Sequence, residues 1–140
     1  MIVVAIIGLL ASVAIPNLLR ARVNSNEGAM KSAMKTFSSA NESYRAAQST
    51  PSYAAAIVSL TSATPPYLDT TWTAGVKHTF TTAYSPSSAP VTTYSFMAAP
   101  SSGSGLENTY CVDQTGTVVF GNSGVTAAAT GCSGGMPISG

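Results

Sequence analysis

Met1-Ile-Val-Val-Ala-Ile-Ile-Gly-Leu-Leu-Ala-Ser-Val-Ala-Ile-Pro-Asn-Leu-Leu19 carries no charged side chain. Wound as an α-helix at 1.5 Å per residue it spans about 28 Å, close to the hydrocarbon thickness of a bilayer. A cleaved secretory signal has a basic leader, a shorter apolar run and a small-residue cleavage site before an ordinary domain start. Here the run passes through Arg20 and Arg22 into a second helical pattern. Met30, Ala33, Met34, Phe37, Ala40, Tyr44 and Ala47 recur at spacings of three and four, and Lys31, Lys35, Ser38, Glu42 and Arg45 are assigned to the opposite face. Glu27 with Lys31, and Glu42 with Arg45, have the i,i+4 and i,i+3 spacings of helical ion pairs. One helix is therefore expected to about Gln48, apolar all round in its first half and amphipathic in its second.

Unbroken, that helix is about 70 Å long. A chain of 140 residues has one core and does not need so long a rod to build it. Half of the rod must be shielded from water by something other than its own domain. Pro16 lacks the N–H that would bond the Ser12 carbonyl, and Gly8 weakens the helix earlier, so the stretch between them is expected to unwind at low cost. Gly8, Ala11 and Ala14 are small enough to let a second helix approach closely. Residues 1–23 are read as an apolar stalk, and 24–140 as a head that includes the second half of the helix.

The segment from Met1 to Arg20 resembles the N-terminal segment of type IV pilins and of the pseudopilins of type II secretion. Pro16-Asn-Leu-Leu-Arg-Ala-Arg-Val-Asn-Ser-Asn-Glu-Gly28 continues the likeness, which weakens beyond Gly28. The resemblance implies a pilin fold, in which a long helix carries a small sheet and a C-terminal hairpin. It also implies a homo-oligomeric helical filament, assembled from subunits held in the inner membrane and displayed at the cell surface. Its partners would be a prepilin peptidase, which cuts after a glycine ahead of a phenylalanine that becomes methylated, and the pilus assembly machinery. Filament-core packing would fall on Met1, Val4, Ile7, Gly8, Ala11, Ala14, Ile15, Pro16, Leu18 and Leu19, with Gly8 and Pro16 bracketing the stretch that melts on assembly. The family's usual opening, Phe-Thr-Leu-Ile-Glu-Leu, is absent here, so the glutamate that pairs with a neighbour's terminal amine has no counterpart. A short basic leader ending in glycine, followed by Phe-Thr-Leu-Ile-Glu, is expected to be encoded upstream.

The rest of the chain reads differently. After Thr50 the sequence is dominated by Ser, Thr, Ala, Gly and Pro. A net charge of +1 and a charged content of 8% leave no basic stripe for nucleic acid, so hydroxyls and amides must keep the surface soluble, as suits an extracellular coat. Cys111 and Cys132 lie in a Gly-, Ser- and Thr-rich segment without a nearby metal-ligating set, which makes a single disulfide and an oxidising compartment the expectation. Closing that loop is worth roughly 3 kcal/mol in the chain-entropy picture.

Thr50 and Pro51 are read as the N-cap and first turn of a short helix over 51–60, ended by Thr64-Pro-Pro66. Val76–Tyr84 and Val91–Met97 alternate as strands. Asn108–Asp113 and Thr117–Phe120 flank Gln114-Thr-Gly116 as a hairpin, with Asp113 as a turn residue. The fold class is thus α+β: a long N-terminal helix packed on a small antiparallel sheet spanning about 76–120, followed by a disulfide-closed C-terminal loop. Met30, Met34, Phe37 and Tyr44 form the expected helix–sheet core. The loops Ser85–Pro90 and Pro100–Gly105 would line the outside of a filament as candidate O-glycan sites.

No catalytic set emerges. His78, the only histidine, sits in an expected strand without an acidic or cysteine partner, and the five acidic residues are scattered. There is no Gly-x-Ser-x-Gly element and no phosphate-binding glycine loop. Neither an enzyme nor a cofactor is expected, and the helical spacing of Phe37 and Tyr44 reads as core rather than as an electron path. The function expected is that of a structural pilus subunit serving adhesion, motility or uptake. A type II secretion pseudopilin is the nearest alternative, although Cys132–Gly140 has none of the acidic calcium ligands of its major members. A membrane-anchored binding module is the alternative from another class.

Overall fold

The apolar and amphipathic runs form one continuous helix, α1 (Ile2–Ala47), in a computed structural model that describes residues 1–138. The last two residues of the expected head, Ser139 and Gly140, lie outside the described residues. At 46 residues α1 is about 69 Å long. Its second half covers one face of an antiparallel six-stranded sheet, which gives the α+β architecture. The strands are β1 (Val76–Lys77), β2 (Phe80–Pro86), β3 (Tyr94–Pro100), β4 (Thr109–Asp113), β5 (Val118–Gly121) and β8 (Met136–Pro137), and they lie in that order. The hairpin of β6 (Thr126–Ala128) and β7 (Gly131–Ser133) forms a second small sheet.

Strand periodicity explains the layering, since successive side chains point to opposite faces. Phe80, Tyr94, Phe96, Ala98, Tyr110, Val112 and Val118 are buried and belong to one core cluster with Met30, Met34 and Phe37 of α1. At its centre Phe37 stacks on Phe96 with ring centroids 4.1 Å apart and planes 16° off parallel. Trp72, on a 3-10 turn over Thr70–Ala74, lies within 6 Å of both rings. The cover on the sheet is therefore not the helix stripe alone, as the sequence suggests, but α1 together with Trp72 and the segment carrying Tyr53, Leu60 and Leu68. Tyr44, expected on the sheet, is half-buried and packs edge-on against Tyr67.

On the opposite face Ser95 and Cys111 are buried. Ser95 Oγ donates to the Ala128 carbonyl, and the Cys111–Cys132 disulfide joins β4 to β7 across a separation of 21 residues. Asp113 holds this region from two sides: Oδ1 accepts from Thr115 N at 2.9 Å in the β4–β5 turn, and Oδ2 accepts from Cys132 N at 3.1 Å. The segment expected as a disulfide-closed loop thus contains its own hairpin.

Several local expectations are corrected. Helix α2 is only Ile57–Thr61; Pro51–Ala54 is not helical, because Tyr53 N donates to the Val91 carbonyl and Ala54 N to Asn41 Oδ1. The expected strand Val76–Tyr84 is a hairpin, turned at His78 and Thr79, which both have positive φ. The strand read as Val91–Met97 begins at Tyr94. Ser38, assigned to the polar face of α1, is buried, and its Oγ lies 3.4 Å from the Tyr94 hydroxyl that donates to it. Glu27 and Lys31 form no ion pair: Glu27 accepts from Asn108 Nδ2 at 3.0 Å, and Lys31 Nζ sits 5.7 Å from the Tyr110 ring centre. The Glu42–Arg45 pair is present at 3.5 Å.

Asn41 is the polar centre of the helix–sheet contact. It is fully buried, accepts from Ala54 N at 3.1 Å and donates to Tyr84 Oη at 3.2 Å, while Tyr84 Oη donates to the Ala54 carbonyl at 2.6 Å. Three groups from three segments thereby satisfy one another. Asn41→Ala leaves the Ala54 N–H buried and unpaired, so a loss of about 1–3 kcal/mol is expected in a urea titration followed by Trp72 fluorescence. Burial pushes the Tyr84 phenol up to about 12, and burial also raises Tyr94. The unfolded phenols lose their protons from about pH 10 while the native ones keep theirs, so this part of the stability is complete below pH 10 and lost as pH rises towards 12. Urea midpoints measured at stepped alkaline pH should fall across that window in wild type, and less steeply in Tyr84→Phe.

Candidate functional site

The part of the molecule that its own fold leaves unfinished is the first half of α1. From Met1 to Leu19 the large apolar side chains project into solvent; Leu9 is 69% exposed and Leu10 65%. Val23 is the first large residue of the helix to pack against the head, where its Cγ2 lies 3.8 Å from the position a side-chain carbon would take at Gly105. The most apolar 18-residue window of α1 has a mean hydropathy of 2.5, and 0% of it is buried. A helix long and apolar enough to cross a membrane is therefore present, and it is not the buried core helix of a globule, which passes the same length test.

The residues assigned to filament packing lie along this exposed half. At about 100° per residue, Met1, Val4, Ile7, Gly8, Ala11, Ala14, Ile15, Leu18 and Leu19 share roughly 140° of helix surface. Pro16 lies outside that arc. Along its middle, a side-chain carbon at Gly8 would meet no atom within 4 Å, and Ala11 is one turn further on. Helical backbone continues through both Gly8 and Pro16. Ser12 Oγ donates to the Leu9 carbonyl at 2.7 Å, a back-bond that keeps its hydroxyl from presenting an unpaired donor to an apolar medium.

Beyond Val23, the side of α1 turned away from the sheet carries Ser32, Lys35, Thr36, Ser39 and Ser43, and Lys35, Thr36 and Ser39 are exposed. Thr36 and Ser43 donate to carbonyls four residues back, at 3.1 and 2.8 Å. This face is narrow and polar, in contrast to the broad apolar stalk above it. Among the described residues no group of three or more His, Cys, Asp or Glu side chains is placed to hold a metal ion, and His78 is exposed at a hairpin turn.

Of the side chains assigned to the helix–sheet core, Met30, Met34 and Phe37 are fully buried and Tyr44 is half-buried. Cys111 and Cys132 are joined. Sequence reasoning missed Asn41 and Trp72. Asn41 falls four residues after Phe37, on the apolar stripe itself, and a lone amide in such a stripe is a signal of a buried hydrogen-bond centre. Comparison with protein-family models, with curated proteins and with solved structures finds no match to this chain.

Val23, read as the last residue of the stalk, belongs with the head, and because residues 1–22 are absent from the core their removal should leave the head intact. A chain beginning at Val23 is expected to stay monomeric without detergent in sedimentation velocity, with an unfolding free energy from urea titration changed by less than about 0.5 kcal/mol. The full chain is expected to associate unless detergent is present.

Proposed function

We propose that this chain is the structural subunit of a type IV pilus-like filament. One observation carries the reading: an apolar helix segment of membrane-spanning length, wholly unburied, is continuous with the helix that builds the head's core. In the membrane, lipid shields the stalk before assembly. In the filament, stalks of neighbouring copies replace lipid, with the close approach at Gly8, Ala11 and Ala14 supplying the van der Waals contact that drives helices together. Pro16 leaves the Ser12 carbonyl without its helical partner, so the stretch from Gly8 to Pro16 is the place where the helix lengthens during assembly at least cost.

The head fits an outer coat. Its surface owes solubility to hydroxyl-bearing side chains, and the disulfide fits an oxidising compartment outside the cytosol. The subunit would enter the inner membrane, be trimmed by a prepilin peptidase, and pass by way of the assembly machinery to the cell surface, where the filament serves adhesion, motility or uptake. No catalytic step is involved in this role.

Electron microscopy of material sheared from cells expressing the protein tests the proposal. Thin, uniform fibres that contain this chain are expected. Gly8→Leu combined with Ala11→Leu should abolish the fibres while membrane insertion and the head's urea midpoint are kept. A chain that stays in the membrane fraction and never yields fibres is instead a tethered module, and the filament reading is then wrong.

A further inference from the structure

Where the stalk meets the head, the loop after β3 comes down beside α1. Ser102, Gly103 and Ser104 form its tip, with Gly103 and Gly105 at positive φ, and Val23 packs against Gly105. This contact divides the junction into two grooves. One is lined by Leu19, Arg20, Val23, Asn24, Gly105 and Glu107. The other, of about 410 Å³, includes Leu19, Arg22, Asn26, Gly103 and Ser104.

The two grooves differ in charge. Glu107 shares the first with Arg20, whereas no acidic residue lines the second. Arg22 is exposed and takes part in no ion pair among the described residues. One neighbour, Ser104, adds a free donor. Ser104 Oγ accepts from Leu106 N at 3.4 Å, so its own proton remains available, and Asn26 Nδ2 is engaged with Thr79 Oγ1 at 3.3 Å, which holds the helix against the head.

Depth decides the chemistry of the occupant. Arg22 is three residues past Leu19, the last of the apolar run, and so lies about 4.5 Å further along the axis. The headgroup layer of a bilayer extends about 5–7 Å beyond the hydrocarbon on each side. With the stalk in a membrane, the Arg22 groove sits at the level of the lipid phosphates, with its apolar wall, Leu19, towards the acyl chains.

We propose that this groove binds the phosphate of an anionic phospholipid, with the Arg22 guanidinium as the counter-charge and the Ser104 hydroxyl as a second donor. The inference rests on the membrane-held state of the proposed subunit. A guanidinium is suited to the task, since its planar fork meets phosphate oxygens with two parallel N–H bonds. Binding here would seat the head at a fixed height on the membrane before assembly.

Two measurements on the full chain separate this site from the reading beneath it. In vesicle flotation, the protein is expected to float both with pure phosphatidylcholine and with mixtures containing phosphatidylglycerol. In native mass spectrometry from micelles holding equal amounts of the two lipids, phosphatidylglycerol adducts are expected to exceed phosphatidylcholine adducts by about fivefold. Arg22→Gln should remove most of that preference and Arg22→Lys should restore part of it. Arg45→Gln, at the ion pair with Glu42 on the far end of α1, should leave it unchanged. Flotation with both vesicles but equal adducts, or a preference that survives Arg22→Gln, overturns the lipid site alone. Failure to float with either vesicle overturns the membrane reading and the site with it.

Discussion

Backbone hydrogen bonding along α1 ties together two environments that would otherwise demand different chains. A helix satisfies its own N–H and C=O groups wherever it runs, so one unbroken ladder can pass from a packed core into an apolar medium without leaving polar groups exposed. The side chains then decide which half belongs where. From Val23 onward they meet an aromatic layer of Phe37, Phe96, Trp72 and Tyr94; before it they meet little within the molecule. Every other element is arranged around that division.

The head is built outward from the aromatic layer. Helix and 3-10 turn cover one face of the sheet, and the β6–β7 hairpin covers part of the other, so that Ser95 and Cys111 are as deeply buried as Tyr94 and Tyr110 on the helix side. The polar groups of Asn41, Ala54 and Tyr84 are matched in a small closed set inside this sandwich, and at its edge Asp113 is matched with Thr115 and Cys132. The phenol oxygen of Tyr110 is the exception among the described residues, buried without a partner beside Glu27 and Asn108. Burial and the nearby Glu27 carboxylate both hold its proton in place.

Long-period patterns were the readable part of the chain. The apolar run and the three-and-four spacing from Met30 to Ala40 specify α1 and its buried side, because both depend only on local geometry. The β4–β5 hairpin was legible for the same reason, through Asp113 and Gly116 in its turn. What escaped was decided by distant partners. Pro51–Ala54 looks like a helix start, but it is kept from helix by bonds to Val91 and Asn41, and the strand pattern over Val76–Tyr84 conceals a turn at two residues with positive φ. The C-terminal strands, two or three residues each, are too short to announce themselves between the glycines that surround them. The exposed stalk was the most legible feature of all, since a shortage of partners is visible in length and hydropathy alone.

The disulfide also sets how the head answers mechanical load. A pull transmitted along α1 reaches the sheet through the aromatic layer, and unravelling from the C-terminal side would ordinarily release the β6–β7 hairpin early. With Cys111 joined to Cys132 across 21 residues, the intervening chain cannot lengthen, and roughly 70 Å of contour is withheld from extension. Under tension the chain between Cys111 and Cys132 therefore stays closed on itself, and it joins the extended length only when the bond is reduced.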